Sequence, residues 1–280
     1  MSSLLIFGLG YSGRAIAKAA MAAGWRVSAT TRGEAALEPG VTLLPFAKAA
    51  PAIATATHIL STAAPDETGD PVLARYHAAL KAAPAKWLGY LSTTGVYGDA
   101  QGNWVDEDST PNPGSARTKR RVAAEHGWAA LDKPLAIFRL AGIYGPGRSM
   151  LDDLRVGQGR HVLKPGHLFG RIHRDDIAQA VLAALRQNAI GIFNLSDDEP
   201  ATPSDVVQEA ARLLAIAPPP PVPYEQIAKT MSPMALSFWA ENRKVAAAKT
   251  KSRLGLAWRY PTYREGLAAI LAEERANGLT

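Results

Sequence analysis

Gly8, Gly10 and Gly13 stand in a G-x-G-x-x-G spacing inside the stretch SLLIFGLGYSG. Glycines so placed let a backbone turn come close enough to a phosphate for its N–H groups to hold it. Gly8 permits the tight turn, Gly10 the approach to a pyrophosphate, and Gly13 the close packing of a helix on a strand. With Tyr11 and Ser12 between them, they form a candidate pyrophosphate site at a helix N-terminus. About 20 residues further on, an acidic side chain would hold the ribose 2′-OH of NAD. The chain has Thr31 and Arg32 there and no acid. A guanidinium grips a 2′-phosphate through paired charge-assisted hydrogen bonds, so the expected cofactor is NADP, with NAD as the alternative. Thr62 and Ala63, small residues ending the run HILSTA, leave room beside such a cofactor.

These residues need a frame. Residues 4–7 form an apolar run suited to a strand buried on both faces, and residues 14–24 read as a helix with a glycine stop. Further strands are expected at 25–31, 41–46, 58–63, 87–91 and 191–196. Helices are expected at 70–83, 177–185 (with Asp175 and Asp176 at its start), 202–214, 225–248 and 263–276. Residues 51–57 read as a weak helix or loop, and 218–221 as a stiff proline linker. Alternating strand and helix implies an α/β fold, a Rossmann-type doubly wound parallel sheet. Residues 1–147, completed by 171–198, would be the dinucleotide-binding domain. Residues 148–170 and 199–280 would form a smaller C-terminal substrate lobe.

The 280 residues, 47% of them hydrophobic, are enough for a sizeable core. The chain has no cysteine, which excludes disulfides, thiolate catalysis and cysteine-bound metals. No apolar run approaches the roughly 20 residues of a membrane span, and no signal peptide is recognised; a cytoplasmic protein is expected. The net charge is +6, with the densest basic run at Arg117-Thr118-Lys119-Arg120-Arg121. Without aromatic interleaving or a nucleic-acid motif, its arginines read as a solvated helix face. Arg148 and Arg171 are candidates for holding a substrate carboxylate or phosphate, with surface solvation as the alternative. No His/Asp/Glu spacing suggests a metal site. Ser92, His126 and Asp132 make no hydrolase triad, because no nucleophile elbow surrounds the serine. Phe238 and Trp239 read as packing residues.

Four further stretches, LSTTGVYG (91–98), TPNPGSARTK (110–119), IFRLAGIYGPGR (137–148) and RIHRDDIA (171–178), follow the glycine motif in order. Together they make a sequence that resembles the extended short-chain dehydrogenase/reductase family, the NAD-dependent epimerase/dehydratase group. The tail of the chain is similar to an atypical, uncharacterised bacterial subgroup. The resemblance implies an active site of Ser/Thr, Tyr and Lys. It places the Ser/Thr role, positioning a substrate oxygen, on Thr93, and the lysine role, holding the nicotinamide ribose, on Lys119. Where the tyrosine of Y-x-x-x-K should stand is Ser115, whose hydroxyl is too short and too weakly acidic to replace a phenol. Tyr97 and Tyr144, near family motif loops, are alternatives, with packing the favoured reading of both. Asp70 stands near where the family has an asparagine, with a helix cap as the equal alternative. His173 matches the family's I-H and is expected to be structural.

The expected function is therefore an NAD(P)-dependent oxidoreductase or epimerase/dehydratase. Its substrate would be a small polar molecule, sugar-like or nucleotide-linked molecules included. The alternative is a non-catalytic NADP-binding sensor or interaction protein on the same fold. The expected partner is a small-molecule substrate, with neither nucleic acid nor membrane; a homodimer is among the expectations.

Overall fold

The computed structural model describes residues 2–31, 33 and 38–278. Among the described residues, one parallel sheet contains seven strands. They are β1 (Ser3–Phe7), β2 (Arg26–Thr31), β3 (Thr42–Pro45), β4 (His58–Ser61), β5 (Trp87–Thr93), β6 (Leu135–Leu140) and β7 (Gly191–Leu195). Their spatial order is β7-β6-β5-β4-β1-β2-β3. Leu4, Leu5, Ile6 and Phe7 are all buried, as a central strand covered on both faces requires. The order reverses between β1 and β4, where Phe7 pairs with Ser61. Ligands of open α/β sheets bind beyond the strand ends at such a reversal.

Helices α1 (Tyr11–Ala22), α2 (Pro71–Ala82), α3 (Ala116–Ala129), α4 (Met150–Arg155), α5 (Arg174–Gln187), α6 (Pro203–Leu214), α7 (Pro233–Trp239), α8 (Ala248–Leu254) and α9 (Tyr263–Ala276) follow in chain order. On one face of the sheet, Ile16, Ala17 and Ala20 of α1 and Ala180, Val181 and Ala184 of α5 join one core. On the other, Tyr76 and Leu80 of α2 and Trp128 of α3 join a second. A third core lies apart from the sheet, built by Leu151 of α4, Val207 of α6, and Tyr263, Leu267 and Ile270 of α9.

The expected helix over residues 225–248 is not one helix. A short turn at Tyr224–Ile227 is followed by α7, then by a strand, Lys244–Val245, paired in parallel with Trp104–Val105. Two causes break it. Pro233 and the Ser232 side chain, which caps the Ala235 N–H at 3.2 Å, begin a new helix. Beyond it, Asn242 is held by tertiary bonds: its N–H donates to Asp99 Oδ1 (2.9 Å), and its side chain spans the Leu168 N–H (3.1 Å) and the Gly166 carbonyl (2.8 Å).

Asp70 caps α2. Its Oδ1 accepts from the N–H groups of Val72 (2.8 Å) and Leu73 (3.0 Å), and its Oδ2 accepts from Trp128 Nε1 of α3 (3.0 Å). One carboxylate thus finishes one helix and ties it to the next. Asp70→Ala removes the cap and leaves a buried indole N–H unpaired, so about 2–4 kcal/mol of stability should be lost. Thermal unfolding followed by circular dichroism should show it. A melting temperature unchanged within error would refute the dual role.

Candidate active site

The turn after β1 is built as a phosphate cradle. Gly8 has φ +95°, and a Cβ there would sit 2.8 Å from Thr62 Oγ1, whose hydroxyl donates to the Gly8 carbonyl at 2.7 Å. A Cβ on Gly13 would lie 2.5 Å from that same carbonyl. A Cβ on Gly10 would meet no protein atom within 4 Å, so Gly10 faces open space. Gly10 is also the N-cap of α1, with no side-chain hydrogen bond and no acid in the first turn. The first N–H groups of α1 are therefore left for a ligand, and the helix dipole favours an anion there. These residues fit a dinucleotide pyrophosphate.

Three adjoining cavities run along the strand ends. The first, 310 Å³, has Gly8, Thr31, Thr62 and Ala63 in its wall and Phe46 on one side. It shares Gly10 and Thr62 with the second, 370 Å³, lined by Tyr11, Ser12, Gly13, Thr93 and Arg148. The second shares Thr93, Arg117 and Ile143 with the third, 390 Å³, which continues under Phe169 and Phe238. Thr93, the last residue of β5, stands at this second junction. Of the residues singled out in the sequence, the cleft gathers Gly8, Gly10, Tyr11, Ser12, Gly13, Thr31, Thr62, Ala63 and Thr93. Arg32 lies outside the described residues.

Lys119 and Ser115 are not brought into the cleft. Lys119 is exposed and lines none of these cavities. Ser115 is the N-cap of α3, its hydroxyl accepting from the Thr118 N–H at 3.2 Å. The side chains that turn inward are Arg117 and Arg121, one helical turn apart. The basic run is accordingly not one solvated face, which corrects the expectation for its arginines. Arg121 Nη1 donates to the Tyr90 hydroxyl (2.8 Å) and the Leu91 carbonyl (2.9 Å). Arg117 stacks 4.4 Å over the Phe238 ring, and its Nε is buried without a partner. Burial pushes the Arg117 guanidinium down from its ordinary value, with Glu241 acting in the opposite sense. Phe238 is therefore cavity wall as well as packing, and Trp239 stacks on His167 at 5.5 Å.

Neither alternative tyrosine offers its phenol to the cleft. Tyr97 donates to Asn194 Oδ1 at 2.7 Å inside the protein, and burial pushes its phenol up. Tyr144 lines the third cavity with its ring, but its hydroxyl lies against Gly266, where a Cβ would come within 2.0 Å of it. Of the two arginines proposed for substrate anions, Arg148 lines the second cavity, its guanidinium 5.6 Å above the Tyr11 ring. Arg171 has Nη1 committed to the carbonyls of Phe169 (2.9 Å) and Ala201 (3.1 Å). His173 accepts from the Asp175 N–H at 3.2 Å and caps α5.

Beside Ser92, the residue before Thr93, lies a buried ion pair. Arg139 of β6 meets Glu125 of α3 through Nε–Oε1 (3.2 Å) and Nη2–Oε2 (2.7 Å), and the Ser92 hydroxyl also donates to Glu125. The two charged side chains are 3% and 5% exposed, so the pair is nearly dry. Among the described residues, no group of three metal-ligating side chains is found, and no helix is long and apolar enough to cross a membrane.

No protein-family model matches the chain. A functionally unknown conserved protein from Silicibacter pomeroyi is 41% identical over 98% of this chain and 99% of its own, with a TM-score of 0.89. A structure from Methylobacillus flagellatus, assigned as an NAD-dependent epimerase/dehydratase, is 26% identical over 98% of this chain and 99% of its own, with a TM-score of 0.78. A 3-diazoavenalumate denitrifying reductase from a Streptomyces species is 31% identical over 180 residues. That match spans 58% of this chain and 58% of the reductase.

Proposed function

The chain belongs to the extended short-chain dehydrogenase/reductase family, in its epimerase/dehydratase-like branch, and from that premise we propose that it is an NADP(H)-dependent oxidoreductase acting on a small molecule. The observation that carries this reading is the continuity of the cleft. The phosphate cradle at Gly10 opens into a cavity that joins a second, substrate-sized one at Thr93. A nicotinamide cofactor supplies or accepts hydride when bound. The chain's own part is to hold the pyrophosphate on the first N–H groups of α1. It also presents the Thr93 hydroxyl to a substrate oxygen and keeps water out beneath Phe169 and Phe238. The reductase chemistry is favoured by the Streptomyces relative's name, and an epimerase or dehydratase by the family.

The preference for NADP rests on Thr31 and Arg32, with no acid at the end of β2. Fluorescence titration of the purified protein should give NADPH an affinity at least about tenfold above that of NADH, a difference of the size charge-assisted pairing supplies. Arg32→Asp should erase it. Equal affinities for the two cofactors in the unaltered protein would remove the NADP assignment, and binding of neither would remove the cofactor reading. A second reading, a non-catalytic dinucleotide-binding protein, is favoured by one observation: neither Tyr97 nor Tyr144 presents its phenol to the cleft. Tight NADPH binding without cofactor oxidation across a broad carbonyl and sugar-nucleotide panel would select it.

A further inference from the structure

The cavity beyond Thr93 holds three arginines, and two of them are spent. Arg243 Nη1 donates to Glu241 Oε2 (2.8 Å) and to the Gly98 carbonyl (2.7 Å), so that pair neutralises itself. Arg171 is tied to the Phe169 and Ala201 carbonyls. Arg117 is different. Among the described residues nothing accepts a hydrogen bond from it; it stacks on the face of Phe238, and the carboxylate that acts on it, Glu241, is already bonded to Arg243. A guanidinium half-withdrawn from water without acceptors is costly unless something binds it. Its planar fork matches a carboxylate in two parallel hydrogen bonds. Ile143, Leu168, Phe169 and Phe238 make an apolar part of the same wall, which also carries Thr93, Thr94 and Glu241. The apolar part suits a hydrocarbon or aromatic body better than a sugar ring, which needs hydrogen-bond partners on every side.

We propose that the substrate is a small, largely apolar carboxylic acid, an aryl or alkenyl carboxylate, whose carboxylate pairs with Arg117 while its body packs against Phe169 and Phe238. The inference rests on the reading of the cleft as a cofactor site joined to a substrate site, and it names that substrate's class. It also gives Arg117 a bounded role. A guanidinium stays protonated at any pH the protein meets, so Arg117 binds and orients the anion and donates no proton in the reaction.

The test uses trans-cinnamate and its neutral isostere trans-cinnamamide as probes, titrated calorimetrically into the protein with and without saturating NADPH. UDP-glucose is the third probe. The acid should bind at least tenfold more tightly than the amide. Arg117→Gln should remove that preference, the acid's affinity falling to the level of the amide's, and Arg117→Lys should restore part of it. Equal binding of acid and amide, no binding of the acid, tighter binding of UDP-glucose, or an acid affinity indifferent to Arg117→Gln would each overturn the proposal. The two readings fail separately. Acid discrimination through Arg117 without NADPH binding removes the cofactor and keeps the acid site. NADPH binding without discrimination does the reverse.

Discussion

Arg139→Met is expected to cost about 3–5 kcal/mol of stability, because it strands a buried carboxylate. For a chain of this length that is a fall in melting temperature of roughly 10 °C. Burial by itself would lower the Arg139 pKa, but the hydrogen bonds and charge of Glu125 outweigh it and hold the guanidinium above its ordinary value. Taking the arginine away leaves Glu125, nearly dry, with only the Ser92 hydroxyl. The loss comes from that uncompensated charge rather than from the worth of the pair. The double variant Arg139→Met with Glu125→Leu should therefore recover most of the stability, which a single contact energy would not permit. Melting curves of the two single variants and the double form the cycle. Additive losses would show that the pair acts as two independent packing residues.

Gly10→Ala should weaken NADPH binding on the order of 100-fold, about 2.7 kcal/mol, while leaving the melting temperature within a few degrees of the unaltered protein. Both halves follow from one observation: a Cβ on Gly10 meets no protein atom, so only a bound ligand can object to it. Gly13→Ala is the contrast. Its Cβ would press within 2.5 Å of the Gly8 carbonyl, which cannot move without dragging the turn and Thr62 with it. That variant should lose stability as well as NADPH binding. Fluorescence titration alongside thermal melts separates the two. If Gly10→Ala binds NADPH normally, the pyrophosphate does not lie on the N-terminus of α1.

The glycine turn was legible because its determinants are local. An apolar run, three glycines at set spacing and an alanine-rich helix each act within a few residues of one another. The closing helix was legible for the same reason: residues 263–276 were expected and α9 spans them. The basic run was not. Arg117-Thr118-Lys119-Arg120-Arg121 with Ser115 contains two interleaved i,i+4 pairs, 115/119 and 117/121, and at about 100° per residue they point to opposite sides of α3. Which pair faces the cleft is decided by tertiary contacts, namely Thr118 buried beneath the helix and Arg121 bonded to Tyr90 and Leu91. The capping geometry of Ser115 was the available signal. A serine followed three residues later by a threonine that returns the bond is an N-terminal cap, which takes Ser115 off the helix face. Residues 225–248 misled for the opposite reason: their composition favours helix, while Asn242 and the pairing of Lys244–Val245 with Trp104–Val105 hold the chain extended.

The stretch from Tyr224 to Ala240, which carries Phe238 into the cavity wall, contributes no fully buried side chain. The sheet and its cofactor cradle do not depend on it for their core. If the cleft takes its substrate as proposed, substitutions there should alter selectivity while scarcely touching the core. This stretch is then the segment to exchange between homologues when building a variant with a different substrate range.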